Sequence, residues 1–175
     1  LMKIMRNGQM GQLYFGKRIH HKEDFSYLLE TAGRPMTSYV FEGDRSFSLE
    51  HTRQEYGVYG TTDYRRPAVE ILQENGSRLS DFRYQSHTVT AGKPKLPGLP
   101  ATYTESDEEA MTLTLVLADP VTDITLELLY TIFQRGGILA RSAKLSNHGN
   151  QSVHLTTAMS LCMDLPDCDY EWLQF

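Results

Sequence analysis

Between Met163 and Trp172 the sequence reads MDLPDCDYEW, which places Asp164, Asp167, Asp169 and Glu171 close together. Carboxylates so spaced can divide glycosidic acid–base work or hold a hard cation such as calcium. The stretch has no glycine-bearing calcium loop. A polar strand end with turn carboxylates explains the same residues. A second segment, Arg53 to Ile71, reads RQEYGVYGTTDYRRPAVEI and concentrates tyrosine, arginine, glycine and acidic residues on a short piece of chain. Two readings suit it. It is an internal corner, with Gly57 and Gly60 allowing tight backbone and the tyrosines packed, or it is a surface used against another chain or a sugar. Tyrosine and arginine make interface hot spots because they bury area and still hydrogen-bond. Asp63 and Arg65 would suit sugar hydroxyls.

The histidines are His20, His21, His51, His87, His148 and His154. No pair has the i, i+4 spacing of helical metal ligands, and none clusters with carboxylates for acid–base work. Cys162 and Cys168 are too few for a disulfide framework or a zinc site and read as reduced thiols. No nucleophile elbow, phosphate loop or dinucleotide glycine pattern occurs. The sequence therefore points to no metal and no cofactor.

The elements that position these residues are mainly strands. In MTLTLVLAD, Met111, Leu113, Leu115 and Leu117 share a face. In DITLELLYTIF, Ile124, Leu126, Leu128, Tyr130 and Ile132 do so, and in SVHLTTAMSLCM, Val153, Leu155, Met159, Leu161 and Met163. ILARSAKLSN is a shorter strand between the last two. ADPVTD, QRGG and NHGNQ read as turns. In the first half GQLYFGKRI, RSFSLEHT, AVEILQ and RLSDFRYQSHTVT read as strands, with QENGS as a hairpin turn between the last two. AGKPKLPGLPA reads as an ordered loop, and HKEDFSYLLETAG as a weak helix. The expected fold is an all-β sandwich of two large, mainly antiparallel sheets.

With 175 residues the chain suits one domain with a real core. A net charge of −5 gives no electrostatic case for nucleic acid or an anionic membrane, and no apolar run approaches a membrane span. Leu1 to Asn7 does not read as a signal peptide as it stands.

Several long motifs carry a resemblance. LYFGKRIHH, DRSFSLEHTRQEYGVYGTTDYRRPAVEILQENGSRLSDFRY, GKPKLPGLPATY, RSAKLSNHG and MDLPDCDYEWLQ, in order, resemble the N-terminal domain of glycoside hydrolase family 36 α-galactosidases. The match runs from about Gly8 to the last residue. It implies that residues 1–175 are a single N-terminal β-supersandwich fragment. The catalytic TIM barrel and the small C-terminal β domain then lie elsewhere, and the chain holds no catalytic aspartate. The parent enzyme would hydrolyse terminal α-galactosides such as melibiose and raffinose with retention, using two barrel aspartates. It would be a bacterial, cytoplasmic homo-oligomer, a tetramer in some relatives, in which this domain packs on a neighbouring subunit and helps close its active site.

The resemblance implies substrate-rim or subunit-interface roles for Asp44 and Arg45 of GDRSFS and for Asp63, Tyr64 and Arg65 of DYRRP. Some relatives carry a substrate-contacting aspartate near the position of Gly33, which this sequence lacks; Glu30 is the nearest acidic residue. Two other readings compete. One is a free-standing carbohydrate-binding module using exposed tyrosines. The other is a mutarotase-like enzyme, which would need a histidine and a carboxylate in one cleft.

Overall fold

The computed structural model describes residues 1–20, 23–29, 40–50, 52–60, 65–98 and 101–164. Eight strands follow in chain order: β1 (Met2–Ile4), β2 (Met10–Gln12), β3 (Val69–Leu72), β4 (Arg83–Ala91), β5 (Ala110–Asp119), β6 (Ile124–Phe133), β7 (Leu139–Asn147) and β8 (His154–Ala158). Two short 3-10 turns lie at Ser26–Leu28 and Asp107–Glu109. Among the described residues these strands pair with one another antiparallel, and Val58 adds an isolated parallel bridge to Val69 of β3. β4, β5, β6 and β7 form a four-stranded meander, β1 pairs with β2, and β3 pairs with β8. The all-β expectation holds.

The meander is where period-two alternation was clearest. Leu115 lies opposite Leu128 and Leu117 opposite Leu126, so their side chains share one face and are buried. Leu126 and Leu128 are wholly excluded from solvent. Tyr56, Val58, Ala68, Val69, Ile71 and Phe82 pack with this face to form the main core. The turns close as the sequence suggests. Asp119 Oδ1 accepts the Val121 N–H at 2.9 Å in the β5–β6 turn, and Gly136 and Gly137 take positive φ between β6 and β7.

The opposite face of the meander carries threonines. Thr112 Oγ1 bonds to the Gly92 carbonyl at 2.7 Å and lies 2.8 Å from Thr131 Oγ1. Both threonines are buried, and each hydroxyl has a partner. The proline-rich segment after Gly92 lies over this face. Pro94, Leu96 and Ala101 share a cavity with Leu129, Ala140 and Ser142.

Several expectations change. Of GQLYFGKRI only Gly11 and Gln12 lie in a strand, β2, and the described residues of HKEDFSYLLETAG form a 3-10 turn at Ser26–Leu28 rather than a longer helix. The described residues of RSFSLEHT form turns rather than a strand, with Phe47, Ser48, Leu49 and Thr52 buried, because local bonds from its own hydroxyls satisfy the backbone. Thr52 Oγ1 donates to the Ser48 carbonyl at 2.7 Å, and Phe47 and Leu49 pack on Met5 in a second small core. QENGS does turn, with the Gln73 N–H on the Ser77 carbonyl at 2.9 Å. It does not join a hairpin, since β3 pairs with β8 and β4 with β5. The SVHLTTAMSLCM run does not keep one buried face. β8 ends at Ala158, and Leu155 and Leu161 are each about half exposed, while Val153 and Cys162 pack on the core. A bulge at Glu70/Ile71 shifts the β3–β8 register and breaks the alternation.

Candidate functional site

The described part of the tyrosine–arginine segment is an internal corner. Gln54, Glu55, Tyr56 and Val58 are all buried. The corner is tied to β2, whose Gln12 N–H donates to the Arg53 carbonyl at 2.8 Å while the Glu55 N–H donates to the Met10 carbonyl at 3.0 Å. Gly60 holds φ at +101°, and a Cβ there would lie 1.8 Å from Leu79 Cδ2.

Arg65 staples three segments. Its Nη1 lies 2.7 Å from Asp164 Oδ2, and its Nη2 donates to the Thr52 carbonyl at 2.8 Å and the Leu49 carbonyl at 3.4 Å. Asp164 Oδ2 also accepts the Gln54 N–H at 3.1 Å. The planar guanidinium fork, with two Nη groups held at fixed directions, serves these acceptors at once. Asp44 builds a separate turn. Its Oδ1 accepts the Ser46 N–H at 2.8 Å and the Ser46 hydroxyl at 2.6 Å, and its Oδ2 pairs with Arg6 at 2.8 Å. The Ser46 hydroxyl and N–H, followed by Arg6, hold its carboxyl down at about 2. Arg45 beside it is exposed.

Asp63, Tyr64, Glu30 and Gly33 lie outside the described residues, as do Asp167, Cys168, Asp169 and Glu171. Of the carboxylates near the chain's end, Asp164 is thus the described one. Among the described residues no group of histidine, cysteine and carboxylate side chains could hold a metal. Cys162 is a free thiol, and burial raises its pKa.

The most electrostatically loaded place is one that spacing did not reveal. Arg141 on β7 places Nη1 3.2 Å from Glu55 Oε1, with both side chains over nine-tenths buried. Tyr130 donates its hydroxyl to the same oxygen at 2.7 Å. Arg141 Nη2 donates to the Glu55 carbonyl at 3.2 Å and Nη1 to the Cys162 carbonyl at 3.3 Å. Its guanidinium centre lies 5.4 Å from the Tyr56 ring centroid and 4.9 Å from that of Tyr130, within cation–π range. Burial raises the Glu55 pKa despite the Tyr130 hydrogen bond and the Arg141 charge, and raises that of Tyr130 as well. One signal existed: the β7 alternation puts Arg141 in line with Leu139, Ala143 and Leu145, and an arginine on a core-facing row calls for a buried acid.

These groups floor a cavity of about 260 Å³ at the open end of the meander's inner face. Gln12, Glu55, Tyr130 and Arg141 supply polar atoms, and Val89, Met111, Leu113, Ile132, Leu139 and Leu161 are among its apolar walls. Gln12 Oε1 and Arg141 Nε are buried without a hydrogen-bond partner.

Residues 8–175 match the Glycosyl hydrolase family 36 N-terminal domain. The chain is 37% identical over 173 residues to α-galactosidase AgaA of Geobacillus stearothermophilus, spanning 99% of this chain and 24% of that protein. It is 33% identical to α-galactosidase Mel36A of Lactobacillus acidophilus over 98% of this chain and 23% of that one. Among solved structures, a substituted AgaA in complex with raffinose superposes with a TM-score of 0.89 at 37% identity, covering 94% of this chain and 23% of that chain. The Lactobacillus brevis α-galactosidase gives 0.89 at 34% identity, covering 95% and 22%. The chain thus spans about a quarter of the length of the curated relatives it matches. On sequence and fold together, it belongs to the glycosyl hydrolase family 36 N-terminal domain family.

Proposed function

We propose that this chain is the N-terminal domain of an α-galactosidase that releases terminal galactose from melibiose- or raffinose-type substrates with retention of configuration. The observation that carries this is the match along nearly the whole chain to α-galactosidases, one of them in complex with raffinose. The two carboxylates that retaining chemistry needs belong to the catalytic barrel of the full-length enzyme, and the fragment alone is inactive. The domain contributes structure, subunit contacts in a homo-oligomer such as a tetramer, and part of the active-site rim. The enzyme acts in the bacterial cytoplasm, needs no cofactor or metal, and binds neither nucleic acid nor membrane.

Within the domain, Asp44, Arg45, Asp63, Tyr64 and Arg65 are the substrate-rim or subunit-interface residues. The geometry supports a positioning part for two of them. Asp44 is held by Ser46 and Arg6, and Arg65 fixes the corner that precedes it through Asp164. The test is incubation of the full-length enzyme with raffinose. Galactose released first as the α anomer supports the reading, and release as the β anomer or no release contradicts it.

A further inference from the structure

Asn7 and Asn75 each precede a glycine, Gly8 and Gly76. Both pairs sit in the same kind of turn. Around Asn7 the Met5 N–H donates to the Gln9 carbonyl at 2.8 Å and the Gly8 N–H to the Met5 carbonyl at 2.9 Å. Around Asn75 the Gln73 N–H donates to the Ser77 carbonyl at 2.9 Å and the Gly76 N–H to the Gln73 carbonyl at 3.0 Å. In each turn the asparagine Oδ1 accepts a backbone N–H two residues on, that of Gln9 at 3.2 Å and that of Ser77 at 2.9 Å. Sequence and local bonding therefore treat the two asparagines alike.

Their surroundings differ. Asn7 and Gly8 are half-buried, and a Cβ on Gly8 would lie 3.5 Å from the Arg83 side chain. The Gly8 carbonyl accepts the Tyr84 N–H at 2.8 Å, and the buried Gln9 donates through Nε2 to Asp81 at 3.0 Å. This turn is clamped from outside. Asn75 and Gly76 are exposed, and nothing lies within 4 Å of the place a Gly76 Cβ would take. An exposed turn tip opens locally at little cost, and no side chain shields the Gly76 nitrogen. The Ser77 N–H already sits on Asn75 Oδ1, where negative charge gathers if the side-chain carbonyl is attacked. A donor held at that oxygen lowers the barrier to attack.

We propose that Asn75 is a site of covalent self-modification, converted to a mixture of aspartyl and isoaspartyl residues while Asn7 is spared. The Gly76 N–H leaves the Gln73 carbonyl as the turn opens. Its nitrogen gives the proton to solvent hydroxide and bonds to Asn75 Cγ. The Cγ–Nδ2 bond breaks, and Nδ2 takes a proton from water and departs as ammonia, leaving a cyclic imide. Water then adds at either imide carbonyl. Its oxygen stays on that carbon as part of the new carboxyl, and the imide nitrogen regains a hydrogen. One water is consumed for each ammonia released, and nothing is oxidised or reduced. The product carries a new negative charge beside Glu74, and in the isoaspartyl form the main chain is one carbon longer inside the Gln73–Ser77 loop. The inference is independent of the proposed function.

The test ages the full-length protein in warm, mildly alkaline buffer and follows both asparagines by peptide mapping and mass spectrometry. A parallel sample is held unfolded in urea. Asn75→Asp supplies the retention standard that separates the aspartyl peptide from the isoaspartyl one. Conversion at Asn75 is expected to exceed that at Asn7 several-fold in the folded protein. In urea the two are expected to convert at comparable rates, because only the shared following glycine then acts. Conversion at Asn75 no greater than at Asn7 in the folded protein overturns the proposal. So does an equal excess in urea, which assigns the difference to flanking residues rather than to the fold.

Discussion

Arg141 reaches across from β7 to the buried Glu55 carboxylate, 3.2 Å from Nη1 to Oε1, with Tyr130 on the same oxygen at 2.7 Å. The pair locks the Gln54–Tyr56 corner to the meander, and it locks the Cys162 carbonyl with it. Removing one partner leaves a charge buried and unmatched. Arg141→Leu is expected to cost about 3–5 kcal/mol in urea unfolding, and adding Glu55→Leu is expected to recover part of that loss.

Burial outweighs the groups that favour ionised Glu55, Tyr130 and Arg141 foremost, so its folded pKa lies above its ordinary value of 4.5. The folded state then binds protons more tightly than the unfolded one. Its contribution to stability is full below that ordinary value and is lost as pH rises through the folded pKa. Glu55→Gln is expected to flatten this decline in a pH series of urea midpoints.

Asp44 behaves oppositely. Its folded pKa is about 2 against an ordinary 3.8. The stability it supplies is complete above 3.8 and disappears as pH falls through about 2. Asp44→Asn is expected to abolish this acid-side loss, seen as a shallower unfolding curve between those two pH values.

Gly60→Ala forces a side chain into φ +101° and against Leu79. The expected cost is about 1–3 kcal/mol, read as a lowered Tm. Leu79→Ala in the same chain removes the collision but not the backbone strain, so it is expected to recover only part of the loss.

The centre of the meander was legible because β5 and β6 there alternate leucines in the core with outward Thr114, Thr125 and Glu127, so burial and alternation coincide from Leu115 to Leu117 and from Ile124 to Leu128. The region around Phe47 and Leu49 was not. Its apolar residues are close enough to mimic a strand, but Ser48 and Thr52 bond locally and fold it into turns. QENGS showed a turn correctly and its partners wrongly, because a turn signal is local and strand pairing is not. The Arg53–Ile71 segment stood out for its hydrogen-bonding groups, and in its described part those groups serve the corner. The Glu55–Arg141 pair joins residues far apart in the chain, and no spacing rule connects them. Asp164 was noticed for its carboxylate neighbours, yet its partners are Arg65 and the Gln54 N–H.

The most direct measurement concerns the DYRRP residues in the full-length enzyme. Asp63→Ala and Arg65→Ala are made singly, and kcat and KM on melibiose are recorded alongside mass by light scattering. The account predicts a wild type that hydrolyses melibiose. It also predicts variants that either lose assembly together with activity or keep assembly with a raised KM. Arg65→Lys is not expected to rescue, since one ammonium replaces the two separate Nη groups that reach Asp164 and the Thr52 carbonyl. A wild type without α-galactosidase activity, or variants matching wild type in both mass and KM, would contradict it.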